Sequence, residues 1–224
     1  LRLKEQDIKL KNFKLMQVLD LLNSGSRILR DNKIISHKLD TEIILAKILN
    51  KSREEIIINL DKDISNNEIN KFDKLIKRRS KSEPIAYILK EKEFWSKKFE
   101  VNRHTLIPRP ETELLVEKLV NIFKKKRVFI LDIGTGTGCI LISLISEILH
   151  SRGIGVDISK KALQMAEKNS CKFKVKNKIK FCHTSFAHIV NKKFDLVVSN
   201  PPYVKSAQIN GLEEDIKCYE PKVA

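Results

Sequence analysis

Two clusters of residues in this sequence have the types and spacing to do chemistry. The sharper is Asp195-Leu-Val-Val-Ser-Asn200-Pro201-Pro202-Tyr203. A buried strand there delivers an asparagine followed by two prolines and an aromatic. Proline fixes the backbone and has no amide donor, so nearby carbonyls can face a ligand. The asparagine side chain offers both a donor and an acceptor, and the tyrosine face can pack on a flat group. Together they answer a particular difficulty: the lone pair of an amide nitrogen is delocalised into its carbonyl, which makes it a poor nucleophile. If the Asn200 side-chain oxygen and the Pro201 carbonyl both accept hydrogen bonds from an NH2 group, they orient that nitrogen and favour positive charge on it as it attacks. Alignment and electrostatics suffice for such a step when the electrophile is already activated. Taken alone, the motif does not choose between an adenine amine and a glutamine amide.

The second cluster is Asp132-Ile-Gly134-Thr135-Gly136-Thr137-Gly138-Cys139. The chain has 7 glycines, and Gly134, Gly136, Gly138, Gly153 and Gly155 are among them. Glycines concentrated after one strand imply unusual backbone geometry there, at the carboxyl edge of a sheet where ligands bind. A dinucleotide loop reads G-x-G-x-x-G, and Cys139 stands where its third glycine would fall. The spacing G-x-G-x-G suits a loop around the methionine part of S-adenosylmethionine. Asp157 ends the next strand, in the place of an acid that accepts two hydrogen bonds from ribose hydroxyls.

Upstream of these groups, the pattern over residues 12–80 predicts helices. Phe13, Met16, Leu19 and Leu22, with Leu15 and Val18, form one apolar stripe, and Gly25 is the expected stop. Leu39, Ile43, Ala46 and Leu49 repeat the pattern. Ser52-x-x-Glu55 and Ser65-x-x-Glu68 have capping-box spacing, so helices are expected near 38–50, 53–60 and 66–80. Glu83-Pro84 breaks the run. Phe94, Trp95, Phe99, Val101 and Leu106 then lie in short strand-like pieces, expected as a hairpin linker. Pro110 suits the first turn of a helix. From residue 128, strands at 128–131, 154–156, 179–181 and 194–198 alternate with helices over 139–149 and from Ser159 to about 169, which predicts a parallel sheet with helices on its faces.

Composition sets outer limits. The 224 residues are 42% hydrophobic and 32% charged, with a net charge of +16. No apolar run approaches the ~20 residues of a membrane span, and residues 1–7 carry both charge signs, unlike a secretory signal. The charge suits an acidic partner, nucleic acid above all. Lysine, isoleucine and asparagine, encoded by AT-rich codons, dominate the chain, however, and base composition alone could raise the charge. Cys139, Cys171, Cys182 and Cys218 are expected to be free thiols without metal, and the five histidines show no triad or ligand spacing.

With these motifs in view, the chain resembles the release-factor glutamine N5-methyltransferases, the HemK/PrmC family. The resemblance runs from about residue 12 to the last residue. It rests on Leu39-Asp-Thr-Glu-Ile-Ile-Leu-Ala46, Glu83-Pro-Ile-Ala-Tyr87, Glu93-Phe-Trp-Ser96, Leu106-Ile-Pro-Arg-Pro-Glu-Thr-Glu113, the glycine loop, Asn200 to Tyr203, and Tyr219-Glu-Pro221. It implies an α/β, Rossmann-like class I methyltransferase sheet, incomplete at its C-terminus. A small helical bundle over 1–82 recognises the substrate, a hairpin linker spans 83–110, and the methyltransferase domain spans 111–224. The implied reaction carries a methyl group from S-adenosylmethionine to the glutamine of a Gly-Gly-Gln loop in peptide-chain release factors. Gly134, Thr135, Gly136, Thr137, Gly138, Asp157, Phe186 and Asn200 would serve the cofactor; Asn200, Pro201, Pro202 and Tyr203 would hold the amide, with Asn200, Pro201 and Tyr203 acting in catalysis. A cytoplasmic monomer is expected, with release factors as partners ahead of nucleic acid and no membrane. Where the family has an acid or amide and then a tryptophan beside adenine, this chain has Ser185 and Phe186. The family also continues for several strands and a helix past the position of Ala224, so a C-terminally truncated chain is expected. The alternatives are an adenine-N6 methyltransferase on DNA or RNA, and a non-catalytic truncated remnant.

Overall fold

In the computed structural model, which describes residues 16–185, 193–201 and 214–221, both Ser-x-x-Glu spacings start helices. The Ser52 hydroxyl accepts from the Glu55 amide at 3.2 Å while Glu55 accepts from the Ser52 amide at 2.8 Å. Ser65 and Glu68 repeat the exchange. Two orphan donors are satisfied at each helix start. Two units divide the chain, Leu1–Ile88 and Leu89–Ala224.

The first unit contains α1 (Val18–Asp31), α2 (His37–Leu49), α3 (Arg53–Ile58) and α4 (Asn66–Arg79), followed by the short α5 (Ile85–Leu89) at the division. Two expectations are corrected here. Gly25 does not stop α1, which continues six residues beyond it. A Cβ at Gly25 would lie 2.6 Å from the Phe72 ring and 2.9 Å from the Thr41 methyl, so the glycine is there to let α1 approach its neighbours. The buried stripe of α1 is Val18, Leu21, Gly25 and Leu29, whereas Met16 and Leu19 are exposed; Phe13 and Leu15 lie outside the described residues. On α2 the buried face is likewise turned to Asp40, Thr41, Ile44, Leu45 and Ala46, leaving Leu39 exposed. A buried charge accounts for that rotation. Arg79 Nε donates to Asp40 Oδ2 at 2.7 Å, with both side chains largely out of water, and the bond fixes which face of α2 turns inward. Phe72, fully buried, contributes about 1.5–3 kcal/mol of hydrophobic stabilisation to this core.

In the second unit β1 (Glu91–Phe94) and β2 (Lys97–Glu100) pair antiparallel across Trp95-Ser96, both at positive φ. Trp95 is therefore a turn residue and not a strand residue. Leu106 lies in irregular chain. Then follow α6 (Glu111–Phe123), β3 (Val128–Ile133), α7 (Cys139–Glu147), β4 (Ser151–Asp157), α8 (Lys160–Lys172), β5 (Ile179–His183), β6 (Leu196–Ser199) and α9 (Glu214–Tyr219). The four strands form one parallel sheet in the order β5-β4-β3-β6. Val128 and Ile130 face a core built with Phe94, Phe99, Val116 and the apolar residues of α7. Leu131, Ile154 and Val156 form a smaller cluster with Phe129 and Phe194.

Candidate active site

The sheet order places the site. β4 and β5 lie on one side of β3, and β6 lies on the other. The loops leaving β3 and β6 therefore diverge, and a crevice opens at the carboxyl ends of the strands. A cavity of about 700 Å³ occupies that position, within the range of small-molecule sites of ~300–1,000 Å³. Its wall draws on the end of every strand of the sheet: Gly134 and Gly136 after β3, Asp157 after β4, Thr184 and Ser185 after β5, Asn200 and Pro201 after β6. Arg103 to Leu106 add a further side. These lining residues were not expected from the sequence, because the 101–110 segment has no periodicity to read.

The glycine loop is held by β4. The amides of Gly134 and Thr135 both donate to the Val156 carbonyl, at 2.9 and 3.0 Å, and the Gly138 amide donates to Thr135 at 2.7 Å. The Gly136 amide donates to Asp157 Oδ2 at 3.0 Å. These four donors are spent inside the protein, which argues against a pyrophosphate cradle, where loop amides must face the ligand. Gly134, at φ 71°, has nothing within 4 Å of a Cβ built on it, so its bare surface faces open space in the cavity wall. Gly138, at φ 78°, is different: a Cβ there would meet Ile142 at 2.9 Å and Ala166 at 3.3 Å. It caps α7 and seats it against α8, away from the cavity lining. Thr135 and Thr137 are buried and do not line the cavity either. The Thr137 carbonyl accepts from Asn169 Nδ2 at 3.0 Å, and that amide also bonds both backbone groups of Glu100. Asn169, a single asparagine inside α8, thus ties loop to hairpin; no sequence signal announced it.

Two carboxylates stand beside the loop in different states. Asp157 accepts from Gly136 on one oxygen and from the Ser159 amide, at 2.8 Å, on the other. Each oxygen keeps a lone pair, so the side chain can still accept from ligand hydroxyls. Asp132 is sealed under the loop. Burial pushes its carboxyl up to about 6, against the pull of the Thr135 hydroxyl, 2.7 Å from Oδ2, and the weaker pull of the Leu141 amide. The thiol of Cys139 is likewise driven up, to about 12, chiefly by burial, and is no nucleophile. Among the described residues no group of acidic, histidine or cysteine side chains could hold a metal ion.

Asn200 follows β6 directly. Its Nδ2 donates to Thr112 Oγ1 at 3.3 Å, in the first turn of α6. Neighbours of Thr112 are also employed. Arg109 donates to Glu220 at 2.7 Å, next to Pro221 in the cavity wall, and Glu113 accepts from the Trp95 amide at 3.0 Å. The 106–113 motif therefore anchors three separate segments. Phe186, Pro202 and Tyr203 lie outside the described residues.

Residues 20–89 match the PrmC N-terminal domain model, and residues 110–215 match the Methyltransferase small domain. The chain is 45% identical over 193 residues to the release factor glutamine methyltransferase of Buchnera aphidicola subsp. Schizaphis graminum, covering 84% of this chain and 70% of that protein. The chain belongs to the release factor glutamine methyltransferase family. It is also 36% identical over 233 residues to the bifunctional methyltransferase of Rickettsia felis, covering 91% of this chain and 44% of that longer protein. Among solved structures, an RNA methyltransferase from Salinibacter ruber in complex with S-adenosyl-L-homocysteine aligns at a TM-score of 0.36 and 21% identity, over 42% of this chain and 60% of that one. As a member of this family the chain carries the S-adenosylmethionine-dependent methyltransferase fold, as its motifs implied. The bare Gly134 surface, the internally committed loop amides and the free lone pairs of Asp157 fit that cofactor.

Proposed function

We propose that this chain methylates the side-chain amide nitrogen of the glutamine in the Gly-Gly-Gln loop of peptide-chain release factors. The observation that carries the proposal is the convergence of Asn200 and Pro201 on the cavity that the glycine loop and Asp157 also line. S-adenosylmethionine, when bound, supplies a methyl group already activated on a sulfonium. What remains for the protein is to hold the acceptor. The Asn200 side-chain oxygen and the Pro201 carbonyl accept hydrogen bonds from the two N–H groups of the amide. Those bonds fix the plane of the NH2 and favour the positive charge that grows on nitrogen. No strong base is required: the bond from nitrogen to the methyl carbon would form as the carbon–sulfur pair stays on sulfur, and the nitrogen, then cationic, gives up one of its own two protons to water.

Gly134, Gly136 and Asp157 are the cofactor contacts, with Thr135, Thr137 and Gly138 shaping the loop from beneath. The family likeness assigns Phe186 to the adenine and Pro202 and Tyr203 to the acceptor. The helical unit is proposed to recognise the release factor, the substrate that the relatives' own name gives them. The reaction is placed in the cytoplasm, where release factors act; among the described residues no helix is long and apolar enough to cross a membrane.

The test is incubation of the purified chain with a release factor and labelled cofactor, followed by mass spectrometry of the Gly-Gly-Gln peptide. Label on that glutamine is expected, and its loss in Asn200→Ala. Label on adenine of bulk nucleic acid, indifferent to added release factor, would overturn the substrate. Absence of any transfer by a chain that binds cofactor and release factor would overturn the activity.

A further inference from the structure

We infer that Thr112 is a positioning residue that holds the Asn200 amide by its amino end and so leaves its oxygen for the acceptor; this rests on the reading of Asn200 as the acceptor-binding group. A primary amide side chain has two nearly isosteric ends, one that donates and one that accepts. Only the oxygen can receive a hydrogen bond from an acceptor NH2. With Nδ2 presented to the cavity, two donors would confront each other and the acceptor nitrogen would be repelled. The choice between the two faces therefore decides whether Asn200 is productive, and nothing in the Asn-Pro-Pro-Tyr tetrapeptide makes that choice.

In the structure the amino end is held from across the chain by Thr112. Its hydroxyl oxygen lies 3.3 Å from Asn200 Nδ2 and accepts from it, over a separation of 88 residues. With Nδ2 committed, Oδ1 is the end left for the acceptor. The hydroxyl itself is held firmly. Thr112 sits in the first turn of α6, whose start is pinned by Pro110, by the Thr112 amide bonded to Arg109 at 3.1 Å, and by Glu113 bonded to Trp95. Threonine is also branched at Cβ, so its hydroxyl has few rotamers to wander among. The same turn carries Arg109, which fixes Glu220 beside the cavity wall. A threonine in the middle of the 106–113 motif thus has a chemical reason to be a threonine.

Three variants separate this role from a merely structural one. Thr112→Val keeps the shape and removes the hydroxyl, Thr112→Ser keeps the hydroxyl, and Asn200→Ala identifies the Asn200 signals. The first measurement is the side-chain amide spectrum of chain labelled with 15N at asparagine. The Asn200 NH2 pair is expected to be displaced from the free-amide position and slow to rotate in the wild type and in Thr112→Ser, and to collapse towards the free-amide position in Thr112→Val. The second is turnover. Thr112→Val is expected to lower kcat by roughly five- to tenfold, the worth of one hydrogen bond, with the KM for cofactor unchanged, and Thr112→Ser to restore it. An unmoved Asn200 signal in Thr112→Val, or equal loss of kcat in Val and Ser, would overturn the inference. Its failure is distinct from that of the substrate assignment: if Asn200→Ala retained full transfer to glutamine, the acceptor reading would fall whatever the spectrum of Thr112→Val showed.

Discussion

Gly134 and Gly138 lie four residues apart in one loop, both with φ near +75°, yet they should fail in opposite ways when a methyl group is added. An alanine at either position must hold a left-handed conformation, which costs about 1–2 kcal/mol. For Gly134→Ala that is nearly the whole effect on stability, since its Cβ would meet nothing within 4 Å. The methyl would instead project into the cavity, where it competes with the ligand. An overpacking cost of about 1–3 kcal/mol against bound cofactor corresponds to a loss of affinity of about five- to a hundred-and-fiftyfold. Gly138→Ala adds its methyl to a packed seam, 2.9 Å from the Ile142 tip and 3.3 Å from Ala166. The isoleucine tip can swing aside, but the Ala166 methyl is rigidly fixed to α8. Strain and overpacking together destabilise the second unit by about 2–5 kcal/mol, with no new atom facing the cofactor.

Trp95 is the sole tryptophan of the chain and belongs to the second unit, so urea unfolding followed by its fluorescence reports on that unit directly. Calorimetric titration with S-adenosylmethionine, at a temperature where each variant is folded, gives the affinities. The expected result is a crossed pattern, with Gly134→Ala stable and weak-binding and Gly138→Ala unstable and close to wild type in affinity. The reasoning is refuted if Gly138→Ala binds as poorly as Gly134→Ala when both are folded. It is equally refuted if Gly138→Ala unfolds at the wild-type urea concentration.

Three further outcomes are expected. The folded Asp132 carboxyl, at about 6 against an ordinary 3.8, binds its proton more tightly than the unfolded one; its ionisation therefore costs the fold about 3 kcal/mol at neutral pH, a cost relieved as pH falls from about 7 to about 4. Asp132→Asn should flatten that part of the stability profile, and parallel profiles for variant and wild type between pH 4 and 7 would contradict the assignment. Gly25→Ala should lower the stability of the helical unit by about 1–3 kcal/mol in thermal melts despite the helix propensity of alanine, because its Cβ would lie 2.6 Å from Phe72; an unchanged or raised melting temperature would show that Phe72 yields freely. Arg79→Met leaves Asp40 buried with only the Ser36 hydroxyl, 2.7 Å away, to answer it, and should destabilise the same unit by about 3–5 kcal/mol, whereas Lys51→Ala, which removes the exposed Lys51–Glu55 pair and leaves the Glu55 cap of Ser52 intact, should change little.

What the sequence discloses and what it withholds follow from how far apart the interacting groups lie. The two capping boxes, the strand that ends in the glycine loop and the strand that ends in Asn200 are local: each signal sits within a few residues of its effect, and each stands in the structure. Gly25 departs from its expected role for the converse reason. A glycine after an apolar run has two physical uses, to end a helix or to admit a neighbour, and only Phe72, 47 positions along the chain, decides between them. The face of α2 turned for a similar cause, since the Asp40–Arg79 pair spans 39 residues and carries no periodicity.

The site divides along the same line. The groups proposed to meet cofactor and acceptor are a backbone carbonyl, bare glycines and one amide, all set by local covalent structure and therefore legible. Its positioning groups are side chains that reach across the fold: Asn169 to Glu100 over 69 residues, Thr112 to Asn200 over 88, Arg109 to Glu220 over 111. Such contacts leave no spacing to read, and the 106–113 motif could be seen in the sequence only as a likeness to a family. The structure gives that likeness a cause. One rigid helix start must hold three partners at once, with Arg109, Thr112 and Glu113 each constrained by a different segment. Substitution of any one of them should therefore disturb its own partner while leaving the other two in place, which makes double-mutant coupling between Thr112 and Asn200 larger than coupling between Thr112 and Glu220.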